Sequence, residues 1–202
     1  MNIKTVLVSV ILAAAVISVA SAEQKFPKPK KTEVVIIARA IVDPPVNDEF
    51  YAQYHKLSSR SITVDKKVKD SEKKTTAALV CGYGYRRTWA EAEVKDGTYV
   101  AMKVSIPKDR ILRFPFFECY PANYGLLRFY LPVSAQITVP EGVNYVYLGT
   151  FAYKVRGLNF DVVDMKLLDE FDAASAFVAE KYGKDAKTMR VPLGPIADAA
   201  EQ

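Results

Sequence analysis

Apolar and polar residues alternate with a period of two along most of this chain, and the period lengthens only near its C-terminal end. A period of two puts every second side chain on one face of a strand, whereas i, i+3 and i+4 share one face of a helix. Residues 33–41 (EVVIIARAI) form a β-branched run with little polar relief, the pattern of a strand buried on both faces or crossing the middle of a sheet. Asp43-Pro44-Pro45 ends it, because proline has no amide hydrogen to give to a ladder. Residues 47–56 (NDEFYAQYHK) predict one or two helical turns behind an Asp48 cap, and 61–65 (SITVD) a short strand. Residues 75–85 (TTAALVCGYGY) predict a strand with a bulge or bend at Gly82 and Gly84.

Residues 88–94 (TWAEAEV) and 98–106 (TYVAMKVSI) alternate, with Ala90, Ala92 and Val94 on one face and Val100, Met102, Val104 and Ile106 on the corresponding one. Between them lies Asp96-Gly97, a pair that accepts the positive φ angles of a tight turn, so the two runs predict a hairpin. Residues 111–120 (ILRFPFFECY) predict a strand in which Pro115 marks an edge or a bulge, 126–131 (LLRFYL) its return, and 136–139 a short strand. Residues 143–155 (VNYVYLGTFAYKV), as one regular strand, put Tyr145, Tyr147, Phe151, Tyr153 and Val155 on one face, and Arg156-Gly157 turns the chain into a strand at 159–163. Phe171, Ala174, Val178 and Tyr182 then line one face of a helix over 169–182, with Asp169 and Asp172 at its start and Gly183 at its stop. Successive short strands with turn signals between them predict a mostly β fold, an antiparallel β-sandwich with one C-terminal α-helix. It fills a single domain over 33–202, behind a polar, Pro-broken lead-in at 23–32.

The first 22 residues depart from that pattern. Lys4 precedes an uncharged apolar run at 5–20, and Ala20-Ser21-Ala22 is a small-x-small cleavage site, which predicts a secretory signal peptide over 1–22. The run is shorter than the ~20 apolar residues of a spanning helix, so a retained anchor is the weaker reading. The expected location is extracytoplasmic, periplasmic or secreted, with no stable membrane span after cleavage.

Charge and cysteine content narrow the picture. The chain carries 28 basic and 23 acidic residues, a mild excess that gives no basic stripe of the kind nucleic-acid binders show. The Lys-rich stretches at 25–31 and 65–74 are broken by proline or by Asp65, Asp70 and Glu72, and read as solvated segments. Two cysteines, Cys81 and Cys119, in an exported chain predict one disulfide, ahead of two free thiols or a nucleophile.

Residues 139–154 (VPEGVNYVYLGTFAYK) resemble a recurring passage in bacterial secreted proteins and lipoproteins with transthyretin-like or immunoglobulin-like sandwiches, in which a Pro-Gly turn feeds a Tyr-rich strand. The immunoglobulin order of Cys, Trp, Cys is met by Cys81, Trp89 and Cys119, but Phe117 stands where those domains carry a corner tyrosine. The resemblance implies a sandwich and brings no catalytic residues with it.

No motif nominates catalysis or a cofactor. His55 is the one histidine, no Gly-x-Ser-x-Gly elbow exists, and one His with two distant Cys does not make a zinc site. The acids Asp161, Asp164, Asp169, Glu170 and Asp172 lack the order of an EF-hand loop and read as strand charge followed by helix N-terminal acids. The candidate binding residues are Tyr83, Tyr85, Arg87 and Trp89, whose even ring offsets would form an aromatic and basic platform on a regular strand. The expected role is therefore non-catalytic binding or structural work in the cell envelope, on an envelope glycan or protein. The alternatives are an extracytoplasmic hydrolase with a carboxylate pair, and a subunit docking to an envelope protein by a strand edge or the helix.

Overall fold

The computed structural model describes residues 27–44, 76–82, 88–93, 98–120, 129–157 and 161–196. The leader at 1–22 and the segments expected at 47–56 and 61–65 lie outside them. The described chain is mostly β, with two sheets and one helix.

The first sheet holds β1 (Glu33–Asp43), β4 (Tyr99–Ser105), β7 (Tyr145–Arg156), β8 (Asp161–Leu168) and the short β9 (Thr188–Arg190). Its order is β4-β1-β7-β8, with β9 on β7 as well. The second sheet is β10-β6-β5-β2-β3, made of β2 (Thr76–Cys81), β3 (Thr88–Glu93), β5 (Ile111–Tyr120), β6 (Phe129–Thr138) and β10 (Gly194–Pro195).

Two expectations are corrected here. The strands are not all antiparallel: β7 runs parallel to both β1 and β9, so the first sheet is mixed. The runs around Asp96-Gly97 do form strands, but not a hairpin. β3 pairs with β2 and β4 pairs with β1, so the chain changes sheets between them. Local turn chemistry is satisfied by any reversal, and the longer β1 ladder takes β4 instead.

The sheets share one core. Val34, Ile36, Ala38, Ala40 and Val42 of β1 meet Phe114, Phe117, Leu131 and Ile137 of the second sheet. Phe117 stacks edge-on against Phe151 at 5.9 Å, and the Tyr153 hydroxyl donates to the Pro132 carbonyl at 2.8 Å, both from sheet to sheet. The other face of the first sheet is covered by α1 (Phe171–Tyr182), whose Ala174, Val178 and Tyr182 pack on Val35, Ile37, Tyr145 and Tyr147. Two coverings explain the continuous apolar run of β1: alternate side chains enter different cores. β6, covered on one face, shows the plain alternation, with Phe129, Leu131, Val133, Ala135 and Ile137 inward.

β7 departs from the regular strand its sequence predicts. Its ladder to β1 slips after Ile37, where Tyr147 is followed as partner by Gly149, leaving Leu148 as the extra residue of a bulge. Gly149 has φ +141°, a conformation side chains rarely adopt. The bulge reverses the facing of the later residues of the strand. Tyr145 and Tyr147 face the helix, whereas Phe151, Tyr153 and Val155 face the second sheet. The β5–β6 register slips between Phe114 and Phe116, where Val133 and Ser134 of β6 oppose Pro115, so Pro115 stands opposite a bulge in a strand flanked on both sides, not on an edge.

Candidate functional site

Two regions of the first sheet carry chemistry beyond packing, and the first is a polar cluster at the start of α1. The bulge delivers Thr150, fully buried, to the helix side of the sheet, where it pairs with Arg39 of β1. Glu170, the residue before the helix, turns its carboxylate back onto this spot instead of capping its own helix. Arg39 Nη1 reaches Glu170 Oε2 at 2.9 Å and Oε1 at 3.2 Å. The Thr150 hydroxyl donates to Oε2 at 2.8 Å and the Tyr99 hydroxyl at 3.2 Å. The Glu170 amide donates to the Tyr147 hydroxyl at 3.0 Å, and that hydroxyl sits 3.0 Å from Thr150 Oγ1. Arg39 also lies over the Tyr99 ring at 5.5 Å.

Burial would raise the Glu170 carboxyl, but hydrogen bonds from Thr150 and Arg39, and the guanidinium charge, outweigh it and hold the group below its ordinary range. The Tyr99 hydroxyl moves up, through burial first and then the Glu170 charge. A carboxylate held ionised by several donors is a poor proton acceptor and no acid near neutral pH. The cluster is a clamp: it ties the helix start to β1, β4 and β7. Outside it, Asp169 accepts from Arg190 at 2.7 and 2.9 Å, and Arg190 covers the Phe171 ring at 4.1 Å.

The second region is the β8 edge. β8 pairs with β7 only, so its other edge is unpaired among the described residues. Met165 and Leu167 lie opposite Tyr153 and Phe151, on the face that elsewhere meets the second sheet. That sheet does not cover them. Val163, Met165 and Leu167 are exposed by 48, 42 and 53%. Leu168 is also exposed, and so is Met189 of β9. Asp164 and Lys166 alternate with Met165 and Leu167, opposite Lys154 and Ala152 on the helix-side face, and Val163 is the extra residue of a bulge, since the ladder steps from Lys154 and Asp164 to Val155 and Val162.

The structure separates the residues singled out from sequence. Tyr83, Tyr85 and Arg87 lie outside the described residues. Trp89 has its backbone in β3 opposite Val80, and its side chain is not among the described ones. The disulfide is corrected. Cys81 and Cys119 are free, buried thiols. The ladder partner of Cys119 is Ala77, four residues from Cys81 along β2, which is roughly 13 Å at 3.3 Å per residue, beyond the ~7 Å reach of a bridge. Burial pushes the Cys81 thiol up to about 11 and Cys119 further, so neither is a nucleophile at neutral pH. Of the aromatics of β5 and β6, Phe114, Phe117 and Phe129 are buried, whereas Tyr130 is exposed and meets Phe116 edge-on at 4.9 Å.

The Glu170 clamp was not visible in sequence, because Arg39 and Glu170 are 131 residues apart. The β8 edge had a signal. The alternation Val163-Asp164-Met165-Lys166-Leu167 is that of a half-buried strand, and it continues past the expected end at 163. Among the described residues no group of three or more His, Cys, Asp or Glu could hold a metal ion, and no helix is long and apolar enough to cross a membrane. Comparison with protein-family models, curated proteins and solved structures gives no match.

Proposed function

We propose that this chain is an exported, non-catalytic assembly protein of the cell envelope, built as a β-sandwich variant, and that it works by adding a protein strand to its β8 edge. The observation that carries this reading is the exposure of Val163, Met165 and Leu167 on a strand with a single ladder partner among the described residues. Unpaired amide and carbonyl groups on an edge template strand addition, and alternate apolar side chains give it grip. Native sheets normally blunt such an edge, and singly exposed apolar residues need no explanation, but a row of them on an open edge does. The apolar leader at 1–22 supports export. The hydrolase reading finds less support: the two described carboxyls that shift, Asp169 and Glu170, both move down, whereas a catalytic pair needs one pushed up.

A photo-crosslinking side chain placed at Leu167 tests the proposal in the producing cells, with Glu141 in an exposed turn as control. The expected result is a protein adduct from position 167 and none from 141. No adduct from 167 overturns the reading.

A further inference from the structure

We infer that the strand received by β8 is β8 of a second copy, running antiparallel across a two-fold axis at Met165. This rests on the proposed role of the edge and names its partner. Edge-to-edge pairing that extends a sheet places the two-fold perpendicular to it, so each face continues into the same face of the copy. Residues opposite one another must then share a face. Side chains alternate, so the axis passes a residue and not a gap between residues.

That leaves few registers, and the sequence DVVDMKLL discriminates among them. An axis at Asp164 sets Asp164 against itself and Val162 against Lys166. An axis at Lys166 sets Lys166 against itself and Asp164 against Leu168. An axis at Val163 sets Val162 against Asp164 and Met165 against Asp161. Within the regular stretch Asp164–Leu168, an axis at Met165 alone sets Asp164 against Lys166, twice, and Met165 against Met165 on the axis. The charged pairs fall on the helix-side face and the Met165 pair on the other. Among the described residues, neither Asp164 nor Lys166 has an ion-pair partner within its own chain. The contact is isologous, so it closes at two copies and consumes both open edges instead of growing into a fibre.

The test uses the purified full chain and a charge exchange. Asp164→Lys alone makes both symmetric pairs lysine against lysine, and Lys166→Asp alone makes both aspartate against aspartate. Each is expected to weaken the dimer about tenfold or more in sedimentation equilibrium, because like charges directly opposite are repulsive. The double variant restores the opposite-charge pairs and is expected to return to the parent affinity. Met165→Cys should oxidise to a covalent dimer, whereas Leu168→Cys, off the axis, should not. The buried Cys81 and Cys119 do not compete. Circular dichroism of each variant, unchanged from the parent, removes misfolding as the cause.

A parent protein monomeric at ~100 µM overturns the inference. So does a double variant as weak as the singles. If the Leu167 photo-adduct then contains a different protein, strand addition stands and self-pairing falls. If Leu167 gives no adduct at all, both fall.

Discussion

Strands β1 and β8 belong to one sheet and are both dominated by apolar residues, yet β1 is buried along almost its whole length and β8 almost nowhere. β1 has β4 and β7 as neighbours, the helix on one face and the second sheet on the other. β8 has one neighbour among the described residues, and its Met165 and Leu167 are left exposed on the face that elsewhere meets the second sheet. Composition is similar, and position in the sheet decides what each strand does. β1 stabilises the fold, and β8 is available for something else.

Substitutions at matched positions test that division. The largest effect is expected at Ile36, which is fully buried between the sheets. Ile36→Ala should lower stability by about 3 kcal/mol, read as a drop in urea midpoint at unchanged slope. A loss under about 1 kcal/mol would break the comparison, since β1 would then be no more essential than an exposed strand.

Next comes the clamp that ties the helix over β1. Glu170→Ala leaves Arg39 without its carboxylate and should cost about 2 kcal/mol by the same measurement. The pH dependence has a definite sign. The folded carboxyl lies below its ordinary value of 4.5, so its contribution is present above that pH and is lost as pH falls through 4.5 toward the folded value. Glu170→Gln should flatten that acid loss. An acid arm identical to the parent's would show that the ion pair contributes nothing.

Gly149 sits between the two regions. A Cβ there would meet Leu167 Cδ1 of β8 at 2.5 Å, and the backbone φ of +141° is strained for any side chain. The methyl contact is with the end of an exposed side chain that can swing away, so the backbone dominates. Gly149→Ala should cost about 1.5 kcal/mol, and adding Leu167→Ala should recover little of it. Full recovery would show that the contact and not the bulge sets the cost.

The smallest effect is expected in β8 itself. Met165→Ala, measured in protein dilute enough to keep copies apart, should change stability by less than about 0.5 kcal/mol. A loss comparable to that at Ile36 would mean that β8 is part of the core.

Much of the fold was legible in sequence because it is local. The β-branched run of β1 announced burial on two faces, and Phe171, Ala174, Val178 and Tyr182 announced the helix, which starts at Phe171 because the Asp169 side chain accepts the Phe171 amide ahead of it. What was not legible depends on other parts of the chain. A single bulge at Leu148 and Gly149 reversed the facing of half of β7. Asp96-Gly97 is a local turn signal and carries no information on which sheet the strand on either side joins. An even cysteine count reported a number, whereas a bridge needs Cys81 and Cys119 to be neighbours. The Glu170 clamp assembles from β1, β4, β7 and the helix start, and the β8 edge looked like any half-buried strand until its cover proved absent.

The parallel ladder of β1 with β7 has a consequence for how the molecule is made. Val35 finds its partner in Tyr145, about 110 residues later. Pairing at such separation is entropically slow. β1 can pair with β4, about 70 residues on, well before β7 supplies its second ladder and α1 covers Val35 and Ile37. Until then one edge and one face of the most apolar strand stay open, the kind of surface that makes partly folded chains prone to aggregate.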